Sequence, residues 1–309
     1  GKQIEGSGNP NADGYGELYY AQIGTMVRAN DLVFAVHQQY GLLIIDPKTD
    51  KICATLTGIK NISSLSMDEN YVYAKSTSGV YGMFDLKTFT LTQKGSCRAR
   101  ERTAHDGDFF CIDEGVVLDV LTFKDENMYA VKYNFLTDKS EHVLLTDNMF
   151  TCFHRVYDKN ERKAYFLCVE KRFINKPQTN CCVFIIDVND LTIEKQLHIS
   201  FEHGVYPRAL LNSQYVLLNN MEVVNISNDE RFLLDVNNCF EEKENGYFLK
   251  AKLFNSSLII VLSKKVLVYD FKKCLLVKKC TCEYGANAVL INNKLYISTW
   301  NGFFLADEY

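Results

Sequence analysis

The chain has 309 residues and a formal net charge of −4; hydrophobic residues make up 47% of it and charged residues 23%. This balance is that of a globular protein and excludes a largely disordered chain. The weak negative charge provides no field that would draw the protein to nucleic acid or to an anionic membrane. The longest apolar runs, such as residues 258–262, have the length of a strand and fall far short of the roughly 18 residues that a membrane span needs.

The chain begins with a polar segment, residues 1–16, that is rich in Gly and Asn. We predict that this segment is a flexible tether, which could also be what remains after a leader or a lipid anchor was removed. Residues 17–309 are then predicted to form one domain, because an all-β domain of this length is normal.

Short strands joined by polar turns follow one another along this domain, with no 3.6-residue apolar period between them. The predicted strands of the best-defined units lie at residues 25–29, 32–37, 42–46 and 51–57; at 63–67, 71–76, 79–85 and 90–94; and at 247–254, 258–263, 266–270 and 275–281. Four strands connected in this way are typical of a propeller blade.

An Asp or Asn ends the third strand of each unit. These markers are Asp46, Asp85, Asn134, Asp187, Asn225, Asp270 and Asp307. They recur with spacings of 37 to 53 residues, and the mean spacing of about 44 lies in the range of propeller repeats. The physical reason is that an Asp or Asn side chain can accept hydrogen bonds from its own turn and so hold a tight hairpin.

The last unit has only three predicted strands, at residues 286–291, 295–299 and 302–307, whereas residues 17–23 form a strand-like stretch that belongs to no unit. Pairing this N-terminal strand into the last unit would close the ring and remove the exposed sheet edges. We therefore predict an all-β fold: a single closed β-propeller of seven four-stranded blades, or of six if the irregular third unit is a decorated loop.

The strand-end sequences resemble those of the WD40 and quinoprotein-like (YVTN) β-propeller superfamily. The resemblance rests on Leu43-Ile44-Ile45-Asp46, Tyr81-Gly82-Met83-Phe84-Asp85, Val183-Phe184-Ile185-Ile186-Asp187 and Leu267-Val268-Tyr269-Asp270. The chain departs from WD40 proteins in having one tryptophan, Trp300, and no repeated Gly-His pair. The resemblance thus implies the architecture and no particular activity.

Eleven cysteines are scattered through the chain, most of them inside apolar runs. A disulfide framework belongs to short secreted chains, so free thiols in the cytoplasm are expected, with an exported or lipid-anchored protein as the alternative. The adjacent Cys181 and Cys182 should point to opposite faces of a strand. Cys280 and Cys282 share a face but lack the further spaced pair of a zinc site. Cys152 and His154 form a similarly weak pair, and we predict no metal and no cofactor.

The better candidates for function lie in the loops between second and third strands and between blades, because loop side chains need not pack. Arg, Tyr and Trp in such loops are the residue types that dominate interface hot spots, and clustered arginines can bind carboxylates. The predicted partner-binding residues are His37, Arg98, Arg100, Arg102, His203, Tyr206, Arg208 and Trp300.

Three kinds of function remain open from the sequence. The first is a non-enzymatic scaffold, monomeric by itself, that holds a protein or peptide partner on this loop face. The second is a hydrolase or lyase at the channel mouth, with His37 or His203 as general base and Arg208 stabilising an anion, although no catalytic sequence motif supports it. A sugar- or peptide-binding exported propeller is a further alternative.

Overall fold

Every regular element that the computed structural model describes is a β-strand. The described residues are 2–3, 26–37, 41–76, 79–97, 108–123, 125–147, 149–171, 178–235, 246–282, 285–291, 293–299 and 304–308. Within them the strands form seven separate four-stranded antiparallel sheets, which we call blades 1 to 7. None of these residues belongs to a helix of the length and apolarity that crossing a membrane requires.

The chain divides into two compact units, and the first consists of Gly1–Lys94 and Leu234–Tyr309. Blade 1 contains β2 (Met26–Ala29), β3 (Leu32–His37), β4 (Gly41–Asp46) and β5 (Lys51–Leu56); blade 2 contains β6 (Ile62–Met67), β7 (Tyr71–Ser76), β8 (Val80–Asp85) and β9 (Thr90–Ser96). Blade 6 contains β22 (Phe248–Phe254), β23 (Ser257–Leu262), β24 (Lys265–Asp270) and β25 (Leu275–Thr281); blade 7 contains β26 (Gly285–Ile291), β27 (Lys294–Thr299), β28 (Phe304–Glu308) and β1 (Lys2–Gln3).

The second unit consists of Gly95–Leu233 and contains three blades. Blade 3 contains β10 (Phe110–Asp113), β11 (Val116–Thr122), β12 (Met128–Asn134) and β13 (Lys139–Thr146). Blade 4 contains β14 (Phe150–Asp158), β15 (Lys163–Glu170), β16 (Gln178–Asp187) and β17 (Thr192–Glu202); blade 5 contains β18 (Pro207–Leu210), β19 (Tyr215–Leu218), β20 (Glu222–Asn225) and β21 (Arg231–Leu233).

The core of each unit lies between neighbouring blades, and the residue pattern of the strands shows why. The third strand of blade 1, β4, buries four consecutive apolar residues from Leu42 to Ile45, because both of its faces are covered. The fourth strand, β5, instead alternates exposed and half-buried residues. A continuous apolar run therefore marks a strand inside the stack of blades, and alternation marks a strand at the edge.

The Asp and Asn markers hold the turns between third and fourth strands as predicted. The Asp85 carboxylate accepts hydrogen bonds from the backbone N–H groups of Lys87 (2.8 Å) and Thr88 (2.7 Å). The Asn134 side-chain oxygen accepts the corresponding bonds from Leu136 (2.9 Å) and Thr137 (3.1 Å). These local acceptors satisfy the backbone donors of the turn, and they lower the pKa of Asp85.

The turns share a second feature that the sequence did not disclose. The residue four positions after each of six markers has a left-handed backbone, with φ between 51° and 58°. These residues are Asp50, Phe89, Asp138, Leu191, Asp229 and Cys274. None is glycine, so each carries the conformational cost that a side chain pays in this region.

The N-terminal strand completes the last blade, as predicted, but it is not the expected stretch. Lys2 pairs with Ala306 and Gln3 with Leu305, so β1 lies beside β28. The strand therefore comes from within residues 1–16, the segment expected to be a tether, and residues 17–23 lie outside the described residues. The two ends of the chain meet in one blade because β28 would otherwise present an unpaired edge.

Candidate functional site

Three of the eight predicted partner-binding residues lie close together in the chain: His203 and Tyr206 are in the loop after β17, and Arg208 is the second residue of β18. His203, Tyr206 and Arg208 lie at the connection from β17 of blade 4 to β18 of blade 5. His37 is the last residue of β3, where its backbone is opposite Gly41 in the neighbouring strand, and it belongs to the other unit. Arg98, Arg100, Arg102 and Trp300 lie outside the described residues.

The connecting loop makes a tight turn directly after β17. The Val205 N–H donates to the carbonyl oxygen of Glu202 at 3.0 Å. Gly204 has a φ of +81°, and a Cβ placed on it would have no atom within 4 Å, so the backbone conformation is what favours glycine there. The turn leaves His203 exposed and keeps Tyr206 half-buried.

Asn219 fixes the position of this loop from the other side. It follows β19 in blade 5, and its side-chain Nδ2 donates to the Gly204 carbonyl at 2.9 Å. Its Oδ1 accepts from the Tyr206 N–H at 3.0 Å, and its own N–H donates to the Tyr206 carbonyl at 3.0 Å. Three hydrogen bonds from one residue hold the loop in a single geometry, a role that the residue type of Asn219 alone does not indicate.

Arg208 and Tyr206 form a stacked pair at the end of this loop. The guanidinium carbon of Arg208 lies 4.8 Å from the centre of the Tyr206 ring. Such a cation–π contact contributes about 0.5–1 kcal/mol at a partly exposed site. The loop therefore presents an aromatic ring and a cation in a fixed arrangement.

A second group of chemically active side chains lies where blades 3 and 4 pack together. Nη1 of Arg155 lies 2.8 Å from Oδ1 of Asp119, and the two side chains are 4% and 1% exposed. The guanidinium also donates to the carbonyl oxygens of Asp108 (2.9 Å) and Val120 (3.3 Å). A buried charge is tolerated only when it is paired and hydrogen-bonded, and Arg155 meets that condition.

Three cysteines lie side by side next to this ion pair, on three neighbouring strands of blade 4. Cys152 in β14 is opposite Cys168 in β15, which is in turn opposite Cys182 in β16. Cys168 and Cys182 are buried and Cys152 is half-buried. The hydrogen bond from the Cys168 thiol, followed by the charge of Arg155, lowers the pKa of Cys152 to about 7 against the opposing effect of burial. Burial raises the pKa of Cys182 to about 11.

Two further pairs of cysteines, Cys181 with Cys182 and Cys280 with Cys282, lie as the strand geometry predicted. Cys181 packs between blades 4 and 5, and Cys182 packs on the opposite face, between blades 3 and 4. Cys280 and Cys282 are buried in one cluster between blades 6 and 7. Within the part of the chain that the structure describes, no three His, Cys, Asp or Glu side chains are grouped so that they could hold a metal ion.

The four-stranded sheets of the described residues define a β-propeller fold, and comparison with solved structures agrees with this fold. No family model and no curated protein sequence matches the chain. Among solved structures, it is similar to the β-propeller domain of Cps50 (Swd1) from Myceliophteria thermophila, with a TM-score of 0.64, 12% identity, and coverage of 94% of this chain and 98% of that one.

The chain is also similar to hydrazine synthase of Kuenenia stuttgartiensis, with a TM-score of 0.70, 9% identity, and coverage of 94% of this chain and 96% of that one. At these identities the likeness shows the fold alone. The chain is an all-β protein with the β-propeller fold, and the fold-level resemblance predicted from its strand ends is confirmed.

Proposed function

We propose that this protein is a non-enzymatic β-propeller scaffold that binds a protein or peptide partner through the loop carrying His203, Tyr206 and Arg208. One observation carries the proposal: three hydrogen bonds from Asn219 hold a loop on which Arg208 is stacked over Tyr206. A fixed loop backbone and an ordered Arg–Tyr pair form a preorganised surface, which supports a role in recognition.

The energetics of binding support this use of the loop. Association is penalised by the ordering of side chains and loops, and a preorganised surface reduces that penalty. Tyr and Arg are also the residue types that contribute most at the centre of protein interfaces. Because a guanidinium binds carboxylates in a bidentate manner, the expected partner presents an Asp or Glu side chain to Arg208.

The solved structures with this fold include both a propeller domain of Cps50 (Swd1) and hydrazine synthase, so the fold alone does not distinguish a binding scaffold from an enzyme. His203 in the loop and Arg208 in β18 are only five positions apart, and these are the residues that the hydrolase or lyase alternative would use. A general base also needs an orienting partner and an enclosed substrate, whereas His203 is exposed. The exposure of His203 therefore favours recognition over catalysis.

The experiment is capture of partners from a lysate of the source cells with the tagged full chain, followed by a direct affinity measurement on the recovered partner. Arg208→Glu reverses the charge on the loop, and Lys195→Glu makes the same change on an exposed position of β17 in blade 4. We expect Arg208→Glu to weaken the partner's affinity at least tenfold, which corresponds to about 1.4 kcal/mol, and Lys195→Glu to leave it unchanged.

Tyr206→Ala should weaken binding as well, because it removes the ring under the guanidinium. Equal affinities for the unmodified protein, Arg208→Glu and Tyr206→Ala would refute the proposed site. Turnover of a hydrolase or lyase substrate that is lost in His203→Ala would instead establish the enzymatic alternative.

We propose that the protein is cytoplasmic, because its described thiols are free. A native precursor with a leader ending before Gly1 would instead place the protein outside the cytoplasm.

A further inference from the structure

The thiols of Cys152 and Cys168 are placed to react with each other. The two residues are direct partners across the antiparallel strands β14 and β15, so their side chains lie on the same face of blade 4. Directly opposed residues in an antiparallel pair have Cα atoms about 4.5–5.5 Å apart, which lies within the range of about 4.4–6.8 Å that disulfides span. In the reduced protein the Cys152 thiol donates a long, weak hydrogen bond to the His154 carbonyl oxygen at 3.8 Å.

The surroundings give the two thiols different roles. Cys152 is half-buried and lies beside the guanidinium of Arg155, whose charge stabilises its thiolate. Cys168 is fully buried, and burial raises its pKa, so it remains a protonated thiol. One cysteine is thus suited to attack an oxidant, and its neighbour is suited to resolve the product.

The groups packed around the pair set the charge that it experiences. On blade 4 these are Arg155 and Cys182, and on blade 3 the Asp119 carboxylate lies against Arg155 and opposes its effect on Cys152. The thioether sulfur of Met128 also lies in this contact, 3.1 Å from the backbone nitrogen of Cys152. The guanidinium is the one positively charged group that these contacts bring to the thiols.

We propose that Cys152 and Cys168 form a peroxide-sensitive dithiol, a site at which hydrogen peroxide converts the two thiols into a cross-strand disulfide. The Cys152 thiolate attacks one oxygen of the peroxide; an S–O bond forms, the O–O bond breaks, and hydroxide leaves and takes up a proton as water. The Cys168 sulfur then attacks the resulting sulfenic acid; the S–S bond forms, the S–O bond breaks, and the departing hydroxyl leaves as water with the Cys168 proton. Two thiols are oxidised and one peroxide is reduced to two waters.

Cys182 provides the internal comparison for this assignment. It also lies opposite Cys168, but burial raises the pKa of both thiols: the charge of Arg155 only partly opposes this effect at Cys168, and burial is the cause at Cys182. The Cys168–Cys182 pair should therefore not initiate the reaction, although its geometry is similar. The exposed Cys53, whose pKa is raised, serves as a reference for an ordinary accessible thiol.

The experiment exposes the reduced full chain to hydrogen peroxide at pH 7, blocks the remaining thiols with N-ethylmaleimide, and identifies modified peptides by mass spectrometry. At pH 7 a thiol with a pKa near 7 is about half ionised, whereas a thiol with a pKa of 9 is about 1% ionised. The more acidic thiolate is also less nucleophilic, so the ratio of the two reaction rates is smaller than the ratio of the two thiolate fractions. We expect Cys152 to be consumed at least about fivefold faster than Cys53, with the Cys152–Cys168 peptide as the product.

Matched variants separate the roles. Cys182→Ser should still form the Cys152–Cys168 disulfide, Cys152→Ser should leave Cys168 reduced, and Cys168→Ser should leave a sulfenic acid on Cys152 that dimedone captures. Circular dichroism of each reduced variant confirms that the strands are retained. Consumption of Cys152 no faster than that of Cys53, or unchanged disulfide formation in Cys152→Ser, would overturn the proposal. So would conversion of Cys152 to a sulfinic acid while Cys168 stays reduced.

Discussion

The buried ion pair between Arg155 and Asp119 allows a quantitative test of how blades 3 and 4 are held together. Replacing Arg155 with Met keeps most of the side-chain volume but leaves the Asp119 carboxylate, 1% exposed, without its counter-charge. The same change removes the donors to the carbonyls of Asp108 and Val120. Removing one partner of a buried ion pair lowers the free energy of unfolding by about 3–5 kcal/mol, and we expect a decrease in that range for Arg155→Met.

The double variant Arg155→Met/Asp119→Leu tests whether the loss of stability in Arg155→Met comes from the unpaired, buried Asp119 carboxylate. It removes both charges, so it should be more stable than Arg155→Met alone, and the coupling energy from the double-mutant cycle should be about 2 kcal/mol or more. The assay is urea unfolding at pH 7, followed by circular dichroism, for the unmodified protein, both single variants and the double variant.

A control in the same two blades distinguishes burial from ion pairing as such. Nη2 of Arg162 lies 2.8 Å from Oδ2 of Asp113, the same distance as in the buried pair, but these side chains are 32% and 51% exposed. Arg162→Met should therefore cost only about 1 kcal/mol, because water solvates the remaining carboxylate. Equal losses for Arg155→Met and Arg162→Met, or additive effects in the double-mutant cycle, would refute the reasoning from burial.

Three further outcomes follow from the described contacts. Asn134→Ala should lower the free energy of unfolding by about 1–2 kcal/mol because two backbone donors of its turn lose their acceptor, whereas Asn134→Asp, which keeps the acceptor, should be close to neutral in urea unfolding. Asn219→Ala should reduce the affinity for the partner, because the loop that carries Tyr206 loses the hydrogen bonds that fix it, although we do not propose that Asn219 itself contacts the partner. An affinity equal to that of the unmodified protein would contradict this prediction. Alkylation of Cys152 by iodoacetamide should rise with a midpoint near pH 7, and that of Cys53 above pH 9. The folded-state pKa of Cys152 is lowered from 9.0, so ionisation of this thiol should add nothing to the free energy of unfolding below about pH 7 and should add progressively more as the pH rises toward 9. An alkylation rate and a free energy of unfolding that both stay constant across this pH window would contradict the lowered pKa.

Much of the fold could be predicted from the sequence because it is encoded by short-range patterns. A strand that ends on Asp85 or Asn134 carries its own turn acceptors, and the bonds to the next residues are made within three positions of the marker. The opposite orientation of Cys181 and Cys182 likewise follows from the alternation of side chains along a strand. Repeated at blade spacing, these local rules are sufficient for the all-β class and the propeller repeat.

The site depended on contacts between residues that are distant in sequence. Residue types in a loop pointed to His203, Tyr206 and Arg208, but nothing near them in the chain indicates that Asn219 would hold the loop. The closing strand was expected at residues 17–23, whereas Lys2 and Gln3 pair with β28, because a strand of two residues is too short to show an alternating pattern in the sequence.

The sequence by itself determined the strands, their turns and the faces of their side chains, because turn hydrogen bonds and the two-residue period act over a few residues. Only the tertiary structure decided that Arg155 would meet Asp119, 36 residues away, and that Cys152 would lie opposite Cys168. A guanidinium can be buried only where packing supplies its acceptors, and a thiol is activated only where packing brings a charge and a second thiol to it. The acceptors that hold the guanidinium beside the thiol come from the packing of blade 3 against blade 4, which the local sequence pattern of either blade does not specify.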